Sequence, residues 1–393
     1  MIIDTPRIIE SGPWTVAEVD VRFQRPASAM PPQFQVRVPK AETHRLSTRG
    51  DGYLIALILL AMRAGEPVEV RAPVSPQLLH GIDDFQRVFQ SWYPDTMRRV
   101  EVIAEASPPP ASGDEAEVFA AFSGGVDSFF TLHQHLQTTP TSPGPAISCG
   151  LFAHGFDIPL DRESQFTHIS AKFEALFDTL GKRLIPVHSN LQAFGTRYDW
   201  PLFHGAALIA LAHILGHGTQ LLYVPSSHDY GKCFPWGSTP FLDPLLSSES
   251  LRVVHDGAWA SRSDKIRAIS VWPATHSHLR VCIPGIDARN CCRCEKCLRT
   301  MTALEMIGVL KAFTTFPEPL RRSALRRCRY RATNEFGFAQ EVRSSARAQG
   351  RRDVVLDVTY AILRSRLLNR TEAAVNALRR LVGLPPIPRG DAV

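Results

Sequence analysis

The chain has no long apolar segment and no recognisable targeting sequence. Its longest apolar run, Leu54–Met62, has nine residues, whereas a helix that crosses a bilayer needs about 20. The first residues, Met1–Arg7, contain no basic stretch followed by an apolar core of the kind that marks a secretory signal. These absences predict a soluble, cytoplasmic protein that does not bind a membrane.

A second absence concerns nucleotide-binding motifs. No Gly-x-x-x-x-Gly-Lys-Ser/Thr sequence is present, which excludes the Walker A loop, whose enzymes usually cleave at the γ-phosphate. A different glycine turn lies between the apolar run Val118–Phe122 and the helix-like stretch Phe129–Leu136. It reads Ser123-Gly124-Gly125-Val126-Asp127-Ser128.

This turn has the composition of a phosphate-binding loop. Two successive glycines allow positive φ and a close approach to a ligand, so the N–H groups of Gly124, Gly125 and Val126 can point into one concavity at a helix N-terminus. Ser123 and Ser128 add hydroxyl donors, and Asp127 can cap the helix or hold magnesium. An ordinary strand-to-helix turn is the alternative. We predict that these six residues bind a polyphosphate.

The third feature is a cluster of cysteines. Five of the eight lie between Cys282 and Cys297, and four of them have the spacing of a closed tetrahedral metal site: Cys282-x8-Cys291-x2-Cys294-x2-Cys297. Cys292 breaks this spacing and is expected to be a free thiol. The other cysteines are scattered, which argues against a disulfide framework. Zinc is the predicted metal ion, and an iron–sulfur cluster is the alternative.

Together, the loop and the cysteine spacing resemble the PP-loop ATP pyrophosphatase superfamily, and within it the 7-cyano-7-deazaguanine synthase family, in which such cysteines bind a structural zinc. Three further segments carry the resemblance, which covers roughly residues 115–300. They are Arg197 with Phe203–Leu208, Tyr223–Tyr230 followed by Phe241 and Leu242, and Ser261–Ile266.

The resemblance implies roles for individual residues. It makes Asp229 an acidic site residue and places the cations Arg262 and Lys265 where they would neutralise phosphate charge, with Asp127 at the loop completing the catalytic set.

The resemblance also implies a reaction, the adenylation of a carboxylate or amide oxygen of a small-molecule acid, with release of pyrophosphate. An amine or ammonia donor would then displace AMP, so the expected activity is that of an ATP-dependent carbon–nitrogen ligase. A deazapurine acid is the candidate substrate that the resemblance suggests.

Two other functions stay open. A PP-loop enzyme that transfers sulfur to tRNA would use the same adenylation and a catalytic cysteine, Cys233 or Cys292. A non-catalytic nucleotide-binding scaffold would bind ATP without turnover. The first of these functions implies a macromolecular substrate, tRNA or protein, and the second implies no substrate.

The strand pattern predicts an α/β fold with a doubly wound parallel sheet. Apolar runs at Val118–Phe122, Ser148–Phe152, Leu184–Val187 and Leu221–Val224 are separated by helical stretches. In such sheets ligands bind beyond the carboxyl ends of the strands. His154 and Asp157 follow the second run and are predicted to contribute to the nucleotide site, and His188 follows the third.

The flanking segments predict three domains. Residues 1–113 are expected to form a small α+β domain, because Val16–Phe23 and Phe34–Val38 alternate polar and apolar positions and a helix-like stretch follows from Tyr53 to Met62. The PP-loop domain with its four-cysteine metal site is expected over 114–310. Residues 311–393 are expected to be helical and basic. Between Arg321 and Arg352 there are ten arginines, no lysine and two glutamates, a net charge of +8 against +6 for the whole chain. This segment is expected to be a solvated helical face or a subunit contact in a homodimer, and binding to nucleic acid is the alternative.

Overall fold

The computed structural model describes residues 1–24, 30–109, 117–138, 144–194, 200–282, 289–381 and 384–385. It divides the chain into two compact units. The first consists of residues 1–123 and 127–259, and the second of residues 124–126 and 260–393. Arg197 lies outside the described residues, and so does part of Ala106–Gly113, a segment whose three successive prolines predict a linker.

The first unit is an α/β structure built on a mostly parallel sheet of eleven strands. The strands are β1 (Ile2–Ile3), β2 (Arg7–Ser11), β3 (Trp14–Arg22), β4 (Gln33–Pro39), β5 (Val68–Val74), β6 (Val102–Ala106), β7 (Glu117–Ala121), β8 (Cys149–His154), β9 (Arg183–Ser189), β10 (Thr219–Pro225) and β11 (Arg252–Asp256). Their order is β11-β10-β7-β8-β9-β4-β3-β1-β5-β6, and β2 pairs with β3. The predicted α/β class with a mainly parallel sheet is confirmed.

Within the described residues, five helices connect these strands: α1 (Asp51–Ala64), α2 (Pro76–Trp92), α3 (Val126–Gln134), α4 (Glu163–Thr179) and α5 (Trp200–Ile214). The strands β11, β10, β7, β8 and β9 are parallel to one another. After β7 the chain first builds β8 and β9 on one side and then places β10 on the other side of β7. The strand order therefore reverses at β7, which makes the carboxyl end of β7 the switch point where ligands bind in open α/β sheets.

The first hundred residues join the same sheet, in contrast to the separate small domain expected there. Strand β4 pairs antiparallel with β9, with Arg37 opposite His188. Helix α1 packs on α5 so closely that a Cβ on Gly52 would lie 2.7 Å from the carbonyl oxygen of Ala210. The division between the compact units therefore falls near residue 260 and not at the expected boundaries, because the N-terminal strands and helix bury their apolar faces in the core of the first unit.

The second unit is helical. It contains α6 (Arg262–Ser270), α7 (Pro273–His278), α8 (Glu295–Met306), α9 (Arg322–Arg327), α10 (Thr333–Ala348) and α11 (Arg352–Leu381). Residues of α8, α9, α10 and α11 share one apolar cluster that includes Leu298, Leu325, Val342 and Val358. The C-terminal helices thus pack on the helix that follows the cysteine motif. None of the helices in the described part of the chain combines the length and the apolar character that a bilayer crossing requires.

Candidate functional site

The four predicted cysteine ligands converge in the second unit. The sulfur atoms of Cys282, Cys291, Cys294 and Cys297 all lie within 4.8 Å of one another. Two pairs, Cys291 with Cys297 and Cys282 with Cys294, have Sγ–Sγ distances of 3.8 Å. In a regular tetrahedron with metal–sulfur bonds of about 2.3 Å, the sulfurs lie about 3.8 Å apart, whereas a disulfide needs about 2.05 Å. The cluster could therefore hold a metal ion such as zinc.

Backbone groups orient these sulfurs. The N–H of Cys291 donates to Cys282 Sγ at 3.5 Å, and the N–H of Cys294 donates to Cys291 Sγ at 3.3 Å. Cys297 lies in the first turn of α8, and its contacts with the Cys282 and Cys294 thiols raise its pKa. The pKa of Cys282 is lowered to about 4, chiefly by the hydrogen bond from the Cys294 thiol. Thiolate is the form that binds metal.

Asn290 holds the two arms of this loop together, and sequence reasoning missed it. Its Oδ1 accepts from the N–H of Val281, and its Nδ2 donates to the carbonyl of Leu279, each at 2.9 Å. The side chain is buried. An asparagine one residue before a cysteine gives no signal of such a contact in the sequence.

Cys292 takes no part in the cluster, as its spacing predicted. It is buried and lies at φ +58°, an uncommon conformation for a residue with a side chain. Its thiol contacts the carbonyl of Asn290 at 3.4 Å, and burial raises its pKa. Such a thiol is a poor nucleophile.

The segment Ser123–Ser128 connects β7 to α3 at the switch point of the sheet. Gly124 has φ +73°, the left-handed conformation that favours glycine. Within the first unit the N–H of Ser123 donates to Ser128 Oγ at 3.3 Å. Within the second unit the carbonyl of Gly124 accepts from the N–H of Arg280 at 2.7 Å. Val126 is buried, and Asp127 lies in the first turn of α3.

A buried carboxylate supports α3, and sequence reasoning missed this residue too. Asp256, the last residue of β11, accepts from Thr131 Oγ1 at 2.7 Å. Its other oxygen contacts His135 Nε2 at 3.0 Å, and the His135 ring stacks on Tyr223. These contacts fix α3 against the edge strands, but they join residues more than 120 positions apart, so no local pattern reveals them.

Asp229 has a local structural role in the first unit. Its Oδ1 accepts from the N–H of Gly231 at 3.1 Å, and its Oδ2 pairs with Lys232 Nζ at 2.6 Å. The carboxylate therefore caps the turn over Tyr230–Lys232.

His154 and His188 come together at the carboxyl ends of β8 and β9. Their Nδ1 atoms lie 2.8 Å apart, and His154 Nε2 contacts the carbonyl of Pro159 at 2.9 Å. Both rings are buried, and burial lowers both pKa values, that of His188 to about 3. Asp157 lies half-buried in the loop after β8.

Arg262 and Lys265 lie at the start of α6 in the second unit. Ser261 caps this helix, since its Oγ accepts from the N–H of Asp264 at 3.2 Å and donates to the Asp264 carboxylate at 2.6 Å. The Arg262 guanidinium lies 5.7 Å from the ring centre of Phe338. Lys265 is only 1% exposed. The Ser-x-x-Asp pattern is therefore a helix cap, and Lys265 is a buried residue of this helix.

Comparison of the chain with protein-family models, with curated proteins and with solved structures gave no match in any of the three searches.

Proposed function

We propose that the protein is an ATP-dependent ligase of the PP-loop type, related to the 7-cyano-7-deazaguanine synthases, which forms AMP and pyrophosphate. The observation that carries the proposal is the position of Ser123–Ser128. A Ser-Gly-Gly-Val-Asp-Ser sequence follows β7 at the switch point of the five parallel strands β11, β10, β7, β8 and β9, of which β7 is the middle one, and Gly124 has a positive φ. This is the place in an α/β sheet where a nucleotide phosphate is held.

Each residue of the loop then has a defined task. The N–H groups of Gly124–Val126 and the hydroxyls of Ser123 and Ser128 bind the β and γ phosphates, and Asp127 holds magnesium. Pyrophosphate leaves when a carboxylate or amide oxygen of the substrate forms a bond to the α-phosphorus. On an activated carboxylate, ammonia or an amine then attacks the carbon and the oxygen departs with AMP, which leaves an amide. On an activated amide, the oxygen departs with AMP while the nitrogen loses its two protons, which leaves a nitrile. Arg262 and Lys265 of the second unit are the cations to which the resemblance assigns the phosphate charge.

Zinc is the metal that we propose for the cysteine cluster. Sulfur–sulfur distances of 3.8 Å fit four ligands that share one tetrahedral ion. An iron–sulfur cluster spreads its four cysteine ligands over two or more iron ions, which needs larger separations between some of the sulfurs. The ion would be structural, because four cysteines leave no open coordination position for a substrate.

The contacts of the arginine-rich segment favour the ligase over an enzyme that acts on tRNA. Six of its ten arginines form ion pairs with carboxylates within the second unit, which lowers the charge available to nucleic acid. Of the two cysteines considered for sulfur transfer, Cys292 is buried with a raised pKa, and only Cys233 is exposed.

The test is a pyrophosphate-release assay with ATP, magnesium and ammonia. The candidate substrate is 7-carboxy-7-deazaguanine, with a reaction lacking any acid as the baseline and mass spectrometry to identify the product. We expect acid-dependent AMP and a product whose mass corresponds to the amide or the nitrile. Asp127→Ala should lower the rate at least 100-fold.

Asp95→Ala is the matched control, since Asp95 is an exposed carboxylate in a turn of the first unit. Acid-dependent turnover that survives Asp127→Ala would refute the assigned role of the loop. Binding of ATP without turnover on 7-carboxy-7-deazaguanine or on a panel of other acids would instead support the scaffold.

A further inference from the structure

The last helix, α11, carries an exposed apolar stripe along its length. Six large side chains on it are more than half exposed: Leu356 (67%), Tyr360 (56%), Leu363 (59%), Leu367 (66%), Leu378 (62%) and Leu381 (82%). A helix turns about 100° per residue, so these six side chains lie within an arc of about 60°. Ala374 continues the stripe between Leu367 and Leu378. A contiguous exposed apolar surface of this kind marks a binding site.

The opposite face of α11 is already used. Val354, Val358, Ala361, Ile362 and Ser365 are buried and pack against α9 and α10. The exposed stripe is therefore a second apolar face on the same helix and is not needed to fold the second unit.

The charges on α11 are distributed unevenly. All three of its acidic residues are neutralised within the unit: Asp353 pairs with Arg351, Asp357 with Arg322 and Arg326, and Glu372 with Arg329 and Arg331. In contrast, four exposed arginines of α11 pair with no carboxylate of the described residues. They are Arg352, Arg366, Arg370 and Arg380, and they leave the exposed side of the helix purely basic.

The width and spacing of the stripe indicate what covers it. Its first four positions follow the intervals four, three and four, which is the seam of a coiled coil. A helix that lies on a membrane has a broader apolar face. A second copy of α11 would bring basic residues against basic residues, which is destabilising.

We propose that the stripe on α11 is a docking seam for an acidic amphipathic helix of another protein. The leucines and Tyr360 pack against the apolar seam of the partner helix. Arg366 and Arg370 pair with glutamates that flank that seam. This inference is independent of the proposed ligase activity, since no residue of α11 is assigned to catalysis.

The test uses the full chain and two synthetic 28-residue peptides. Both peptides have leucine at the a and d positions, and they carry either glutamate or lysine at e and g, so that like charges discourage self-pairing of the peptide. We expect the glutamate peptide to bind in a fluorescence anisotropy titration and the lysine peptide to bind at least tenfold more weakly. Leu363→Glu with Leu367→Glu should abolish binding, whereas Val271→Glu, at an exposed apolar position on the same unit, should leave it unchanged.

Charge reversal gives the sharper result. Arg366→Glu with Arg370→Glu should weaken binding of the glutamate peptide and strengthen binding of the lysine peptide. The circular dichroism spectrum and the metal content should stay those of the parent. Equal affinity of both peptides for the parent would overturn the proposal. A dimer of the parent in light scattering that Leu363→Glu with Leu367→Glu dissociates would also overturn it, and would assign the seam to a second copy. Stripe-dependent binding to phosphatidylserine vesicles without peptide binding would overturn it in favour of a membrane.

Discussion

The cysteine cluster and the Ser123–Ser128 loop differ in how much of the chain determines their geometry. The four sulfurs come from one short segment, and backbone N–H groups of the same segment orient them. The loop instead obtains its position from β7, the middle one of five parallel strands, and from α3, which Asp256 supports from 125 residues away. A site whose ligands and supports are local is defined by spacing alone. A site at the end of a central strand is defined only when the whole sheet has formed.

Removal of one cysteine ligand should have the largest effect. Cys294→Ser replaces a thiolate with a weakly binding hydroxyl, so we expect the bound metal to fall from about one ion per chain to near zero. The second unit should also lose stability, because binding of a structural zinc ion is worth about 10–16 kcal/mol in small zinc domains. Metal analysis by mass spectrometry and thermal unfolding measure the two effects.

Cys292→Ser is the control for this change. It removes a buried thiol from the same loop that lies outside the cluster. The variant should keep its metal. If Cys292→Ser loses the ion while Cys294→Ser retains it, the ligand set is different from the one assigned here.

The long-range support of α3 should give the next largest effect. Asp256→Ala leaves Thr131 and His135 without their buried acceptor, and we expect the free energy of unfolding to fall by about 2–3 kcal/mol in a urea titration. Asp264→Ala removes a local cap contact with a partner three residues away, and it should lower the free energy of unfolding by about 1 kcal/mol or less. An equal decrease in the free energy of unfolding of the two variants would show that the distant contact of Asp256 stabilises the protein no more than the local cap does.

The conformation of the loop itself can be tested with its two glycines. Gly124 has a positive φ, whereas Gly125 does not. Gly124→Ala should therefore destabilise the protein by about 1–2 kcal/mol because of the left-handed backbone. It should also reduce the rise in melting temperature that ATP and magnesium produce. Gly125→Ala, the matched control for backbone strain, should cost less stability, and a larger loss for Gly125→Ala would contradict the assigned conformation.

The same contrast explains how much could be predicted from the sequence. The spacing of Cys282, Cys291, Cys294 and Cys297 was sufficient to predict that the four sulfurs converge, and apolar runs separated by helical patterns were sufficient to predict the α/β class. The alternation in β3 and β4 identified buried faces but not the sheet that they join. That sheet is fixed by the pairing of Arg37 with His188, about 150 residues apart, and no local pattern encodes a register over that distance.

Asp256 and Asn290 were missed for related reasons. Each satisfies buried polar groups whose partners are set by tertiary structure or by the path of a loop. The Ser261–Asp264 pattern shows the converse, since both partners of this helix cap lie within one helical turn and the contact can be predicted from local sequence.

The junction between β4 and β9 leads to the most specific prediction, a change in the pH dependence of stability. His188 lies in this junction, facing Arg37 of β4, His154 of β8, Trp14 of β3 and Phe166 of α4. Burial, with further contributions from the charge of Arg37 and from His154, lowers the pKa of His188 to about 3. In the unfolded chain a histidine titrates near a pKa of about 6.5.

Between these two pKa values the unfolded chain binds a proton that the folded chain does not. Stability therefore falls as the pH decreases from about 6.5 towards 3, by as much as about 1.4 kcal/mol per pH unit from this one group. His188→Gln removes the titration, so the slope of the unfolding free energy between about pH 6 and pH 4 should become shallower by about 1 kcal/mol per unit. His44→Gln, which removes an exposed histidine, should keep the slope of the parent. Parallel slopes for the parent and His188→Gln would mean that the junction admits the protonated ring, and that the N-terminal strands are attached to the parallel sheet less tightly than the β4–β9 pairing indicates.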